Sequence, residues 1–88
     1  MPSKSRAKTR AYVLIETSAG KTKAVKTGLT KLKVGAKGIV NLDAVTGPYD
    51  FIAVVEGATI DAIGQLVTDG IGMIDGVTRT TTCVAVSV

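Results

Sequence analysis

Ile39-Val40-Asn41-Leu42-Asp43-Ala44-Val45-Thr46-Gly47-Pro48-Tyr49-Asp50-Phe51-Ile52-Ala53-Val54-Val55-Glu56 is the stretch from which the fold can be read. Its two ends, Ile39 to Val45 and Phe51 to Glu56, are rich in β-branched and apolar residues, the composition of strands. Between them lie Gly47 and Pro48, residues that punctuate regular structure and turn the chain. The spacing predicts a hairpin, with Thr46 to Asp50 as its turn.

Upstream of the hairpin, Val25, Leu29 and Leu32 recur at steps of four and three among lysines, which predicts an amphipathic helix over Gly20 to Lys33, ended by Gly35 and Gly38. Before that helix, Ala11 to Thr17 is aromatic and β-branched and reads as a strand. Downstream, Ile60, Ile63, Val67, Ile71 and Ile74 follow the same helical steps. They predict a helix over Thr59 to Ile74, with Thr59 as N-cap and Asp61 in the first turn. Gly64, Gly70 and Gly72 interrupt this segment at about 1 kcal/mol each relative to Ala, so packing must hold it, with glycine allowing close approach to a sheet. After Asp75-Gly76, the Thr- and Val-rich run Val77 to Val88 is the last strand. The order is β-α-β-β-α-β, a ferredoxin-like α+β fold: one four-stranded antiparallel sheet with two helices on one face.

The strands also speak about partners. Tyr12 to Ile15 and Phe51 to Val55 are apolar at every position, whereas a sheet with helices on one face only should alternate with polar residues. The second face must be covered, and two sheets packed face to face would cover it as a homodimer. Size points the same way. A chain of 88 residues is one domain, and at this size it buries only roughly 60% of its unfolded surface, so it needs a staple. One cysteine, Cys83, allows no internal disulfide, and without histidine the common zinc-ligand sets cannot form in one chain. Oligomerisation is what remains.

The net charge of +4 is unevenly placed. Ten of the eleven basic residues lie between Met1 and Lys37, against the single acid Glu16, while six acids and Arg79 follow. Residues 1–10, with Lys4, Arg6, Lys8 and Arg10, read as a basic flexible tail, and residues 11–88 as the folded domain. Lys21, Lys23, Lys26, Lys31, Lys33 and Lys37 belong instead to the helical segment or its end: a solvated face or a phosphate-contacting surface. No apolar run reaches the roughly 18 residues that span a bilayer, and no secretory h-region follows the N-terminus. The expectation is a cytoplasmic protein with no membrane partner, and with Cys83 as a small buried hydrophobe, since no His stands ready to activate it.

Chemistry is scarce. Gly20-Lys21-Thr22 resembles the end of a phosphate-binding loop, but Ile15 stands where that motif needs glycine; Gly70-Ile71-Gly72 starts a dinucleotide fingerprint that Asp75 breaks. Serine or cysteine triads are impossible without His, and the seven acids show no helical pairing at metal-ligand spacing. The expectation is a non-enzymatic protein without a cofactor or metal.

Several short motifs, in their order and spacing, carry a family resemblance: Ala11-Tyr12-Val13-Leu14 at the start, Thr46-Gly47-x-Tyr49-Asp50 running into an apolar strand, Gly76-Val77 after the second helix, and Thr80-x-Thr82 near the end. From Ala11 to about Val86 the chain resembles the ligand-binding "regulation of amino acid metabolism" (RAM) domain of the Lrp/AsnC transcriptional regulators. It is similar to the stand-alone form, since only ten residues precede the first strand and leave no room there for the family's helix-turn-helix DNA-binding region. The resemblance implies a dimeric α/β-barrel arrangement of face-packed sheets, further association into rings, often octamers, and a small effector such as an amino acid bound between dimers. It implies regulation of transcription through partner proteins. Carried over by motif, Gly47 lets backbone approach the ligand, Asp50 accepts from an α-ammonium, Tyr49 supplies an apolar wall with a polar tip, and Thr46, Thr80 and Thr82 add hydroxyls. Pro48 departs from the pattern by stiffening the turn and removing an amide donor. Read from residues alone, the turn is equally a Gly-Pro hairpin whose Asp caps backbone.

Two other classes stay open. The basic tail and lysine-rich helix fit a nucleic-acid-associated accessory protein that binds nonspecifically, there being no aromatics in either to stack on bases. A dimeric αβ-barrel enzyme would use the same architecture, but the absence of His and Trp argues against it.

Overall fold

A computed structural model describes residues 8–35 and 38–88. Four strands, β1 (Thr9–Thr17), β2 (Ile39–Ala44), β3 (Phe51–Gly57) and β4 (Val77–Val84), alternate with helices α1 (Thr22–Gly35) and α2 (Ile60–Asp69) in the order β-α-β-β-α-β. The sheet order is β2-β3-β1-β4 with every neighbouring pair antiparallel. This is the ferredoxin-like α+β fold, and the Ile39 to Glu56 hairpin forms one half of its sheet. Of the predicted basic tail, Met1 to Ala7 lies outside the described residues, while Thr9 and Arg10 are already in β1. Arg10 is held there by pairing across to Glu56, its Nη2 standing 2.6 Å from Oε2.

Alternation decides the two faces. Ala11, Val13 and Ile15 on β1, and Phe51, Ala53 and Val55 on β3, point toward the helices and are buried. They meet Val25 and Leu29 of α1 and Ile63 and Val67 of α2, with Ile39 and Ile71 closing the cluster. Each large side chain in it contributes about 1.5–3 kcal/mol by leaving water. No polar side chain among the described residues is buried with them.

Three features differ from the sequence pattern. First, α2 does not run to Ile74: it stops at Asp69, and Ile71–Met73 is a single turn of 3-10 helix. Gly70 is the cause. Its N–H closes α2 on the Leu66 carbonyl, and a Cβ there would stand 2.6 Å from that oxygen and 3.1 Å from Leu32 Cδ2 of α1. The chain leaves the helix where the Leu32 side chain of α1 packs against it, and the tighter turn still delivers Ile71 to the core. Second, Gly64 is the one glycine inside α2, and it makes no close approach, since nothing lies within 4 Å of where its Cβ would be. Third, β4 ends at Val84. The Ala85 N–H still reaches the Arg10 carbonyl at 2.8 Å, and beyond that pair no described strand lies alongside Val86 to Val88.

The opposite sheet face carries Tyr12 and Leu14 on β1 and Ile52 and Val54 on β3, paired as Tyr12↔Val54 and Leu14↔Ile52. No helix among the described residues covers them, and Tyr12 is 39% exposed. Cys83 pairs with Tyr12 on this open face, so it is an exposed thiol in the single chain and not the buried residue that its apolar neighbours suggest.

Candidate functional site

Three connections meet at one end of the sheet: Ser18 to Lys21 between β1 and α1, Val45 to Asp50 between β2 and β3, and the Asp75-Gly76 turn into β4. Ser18 N–H donates to the Gly76 carbonyl at 2.9 Å, and Asp50 N–H donates to the Ile15 carbonyl at 2.9 Å, binding the three together through β1. A bulge between Glu16 and Thr17 re-aims the end of β1 at this point.

Within the Val45 to Asp50 segment, Val45 N–H donates to the Asp50 carbonyl at 3.0 Å and closes the turn. Gly47 sits at φ +119, a backbone region that L side chains rarely adopt, and beyond its chain neighbours nothing lies within 4 Å of where a Cβ would stand. The glycine is required by the backbone, and the space it leaves is accessible. Asp50 is half-buried and its Oδ2 accepts from Thr17 N–H at 2.8 Å, so its carboxylate holds the turn against the end of β1. Such charge-assisted bonds are about twice as strong as neutral ones. Thr17 continues the connection, its hydroxyl lying 3.2 Å from that of Thr22, the first residue of α1. Neither Thr17 nor Thr22 could be singled out from sequence: Asp50 is bound through the Thr17 backbone, which any residue supplies.

Tyr49 is half-buried and Thr46 exposed. Among the described residues no hydrogen bond reaches the Tyr49 hydroxyl, the Thr46 hydroxyl or Asp50 Oδ1, so polar groups at this turn still have capacity. Thr80 pairs with Ile15, whose other neighbour is Phe51. Two interstrand steps, about 10 Å, therefore separate Thr80 from the first residue of β3. Thr82 lies two residues further along β4. It lines a different cleft of about 340 Å³, between β4 and α2, with Ile63, Gly64, Val67 and Val84. The chain thus gathers Thr46, Gly47, Tyr49 and Asp50, leaves Thr80 nearby, and puts Thr82 elsewhere.

A further cleft of about 310 Å³ opens between the end of β3 and α2, lined by Lys8, Gly38, Glu56 and Leu66 among others. The turn lines neither cleft, and in a single chain it stands on open surface. Among the described residues no group of three or more His, Cys, Asp or Glu is placed to hold a metal ion, and no helix is long and apolar enough to cross a membrane.

A family model described as the Lrp/AsnC ligand binding domain matches residues 10–88. Among solved structures, TTHA0845 from Thermus thermophilus is 30% identical with a TM-score of 0.78, the match covering 91% of this chain and 95% of that one. Protein PHS023 from Pyrococcus horikoshii is 28% identical with a TM-score of 0.72, covering 90% of each chain. A transcriptional regulator of Neisseria meningitidis, NMB0573, solved as a complex with L-Met, is 14% identical with a TM-score of 0.79, and the match covers 99% of this chain but 55% of that one. No protein of curated function matches the chain.

Proposed function

Because the chain belongs to the Lrp/AsnC ligand binding domain family, a family of transcriptional regulators and not of enzymes, we propose that it is a small-molecule sensing domain whose effector is an amino acid bound at the Thr46 to Asp50 turn. The observation that carries this reading is the state of Asp50. One carboxylate oxygen is fixed by Thr17 N–H, which orients the second toward a ligand ammonium without leaving the whole carboxylate to hydration. Gly47 gives access for a ligand carboxylate to approach backbone, and the Tyr49 ring and hydroxyl form an amphipathic wall. NMB0573, with its L-Met, supports the ligand class.

In one chain the turn is open on its outer side, so enclosing a ligand requires a second surface. We take that surface to come from another copy. The uncovered face with Tyr12, Leu14, Ile52 and Val54 supports a homodimer packed sheet to sheet, and association of such dimers brings turns of different subunits together. The output is then a change in assembly or in contact with a partner regulator.

Thermal-shift screening of all twenty amino acids, combined with native mass measurement, tests this reading. A ligand at about 100 times its Kd stabilises the fold by about 2.7 kcal/mol, roughly 10–20 °C in Tm for a chain of this size. One or a few amino acids are expected to give such a shift, and Asp50→Asn, which retains an acceptor for Thr17 N–H, is expected to remove the shift while leaving the unliganded fold in place. An absence of any amino-acid shift, or an unaltered shift in Asp50→Asn, refutes the site.

A further inference from the structure

The outward surface of α1 lies away from the turn and serves no contact in the fold. With 3.6 residues per turn, Lys23, Thr27, Thr30 and Val34 fall opposite the buried Val25 and Leu29, with Lys26 to one side and Lys31 to the other. The lysines and threonines are all exposed. Thr27 and Thr30 fold their hydroxyls back onto the carbonyls of Lys23 and Lys26, at 3.2 and 2.8 Å. The result is a low furrow bordered by Lys23, Lys26 and Lys31. No acid occurs between Thr22 and Gly35, and among the described residues Lys21, just before the helix, is the lysine in a salt bridge, to Asp75. The three furrow ammonium groups, spread over about 12 Å of helix axis, are therefore left without an internal counter-charge.

We propose that this face of α1 docks the phosphate backbone of a nucleic acid without reading its bases. The charges are complementary: compact cations on both borders of one rigid helix face fit a polymer with regularly spaced anions. Composition then separates nucleic acid from the other anionic surfaces. Specific protein interfaces are enriched in aromatics, Met and Arg and depleted in Lys at their centres, whereas this face has Lys and Thr around Val34. Helices that lie on membranes need a continuous apolar stripe with large side chains, and beside the small Ala24, Val34 is the one large apolar residue here. The chain's three aromatics, Tyr12, Tyr49 and Phe51, sit on the sheet or its turn. Base stacking at α1 is therefore excluded, and binding there is blind to sequence.

Fluorescence anisotropy with the full chain tests the proposal, using a labelled DNA duplex and a labelled single-stranded RNA, with polyglutamate and phosphatidylserine vesicles as competitors. Raising the salt from about 50 to about 200 mM is expected to weaken binding about fortyfold for the duplex and about twentyfold for the single strand, as three phosphate contacts require. The variant K23Q/K26Q/K31Q is expected to reduce the slope of log affinity against log salt by about 2 to 3. K23R/K26R/K31R is expected to retain both affinity and slope, and circular dichroism to show both variants folded. Binding to either nucleic acid supports the proposal, and the tighter of the two identifies the source of the phosphates. Salt-independent binding, an unchanged slope in the Gln variant, loss of binding in the Arg variant, or competition by polyglutamate or vesicles as effective as by unlabelled nucleic acid overturns it.

Discussion

Asp50 holds the turn against the end of β1, and mutation separates that role from the ligand contact proposed for it. Its Oδ2 satisfies Thr17 N–H, so Asp50→Ala leaves a half-buried donor without its acceptor. The expected cost is about 1–3 kcal/mol in urea unfolding, smaller in Asp50→Asn, where an amide oxygen remains. Gly76 is under a stricter demand. It has φ +102, and a Cβ there would lie 2.8 Å from both Lys21 Cβ and Val25 Cγ2. Gly76→Ala is expected to destabilise by about 1–3 kcal/mol through backbone strain and to loosen α1 from the last turn, seen as faster amide exchange at Val25. The resemblance in the sequence points to Gly76-Val77 as a motif, and the closeness of Lys21 and Val25 supplies its physical reason. That contact joins residues far apart in the chain, and periodicity carries no information about it.

At the scale of elements, α2 offers two independent tests. The Thr59 side chain accepts from Ala62 N–H at 3.1 Å, so Thr59→Ala is expected to cost about 1 kcal/mol, the usual worth of an N-cap. Gly64 lies within the helix with open space where its Cβ would be, and Gly64→Ala is expected to stabilise by about 0.4–1 kcal/mol. Both are read from the midpoint of denaturant unfolding. The elements themselves are legible because Val25, Leu29, Ile63 and Val67 keep helical period and the hairpin runs are bounded by Gly and Pro. Thr59 as N-cap is legible for the same reason: a cap is a local device. The end of α2 is not. Ile71 and Ile74 keep the period across a change from α to 3-10 geometry, since both helices return side chains to the same side over one turn, and only the approach of Leu32 reveals that Gly70 breaks the helix.

The whole molecule shows two apolar layers where a single chain covers one. Tyr12, Leu14, Ile52 and Val54 face away from the helix-side core, so a charge introduced there is expected to disturb the proposed association before it disturbs folding. Val54→Lys is expected to shift sedimentation from dimer toward monomer while circular dichroism stays native. A monomeric wild-type chain would refute the sheet-to-sheet dimer. That layer is legible in the sequence because runs such as Tyr12 to Ile15 do not alternate. Cys83 misleads for a related reason: a short apolar run in an edge strand gives no sign of which residues turn outward. The turn residues Thr46, Gly47, Tyr49 and Asp50 are legible as a group because they are contiguous, whereas Thr82 joins them by motif alone, and β4 carries it to the α2 side.

The two helices share one layer and have opposite signs. Exposed lysines fill α1, while Asp61, Asp69 and Asp75, all exposed, mark α2 and the turn after it. The described charges are therefore arranged as a dipole, which the net charge of +4 alone does not express. At low ionic strength, where the Debye length reaches about 30 Å, neighbouring molecules are expected to align the basic helix of one with the acidic helix of the next. Light scattering is then expected to give a negative second virial coefficient that turns positive as salt is added, the reverse of the trend for a uniformly charged sphere.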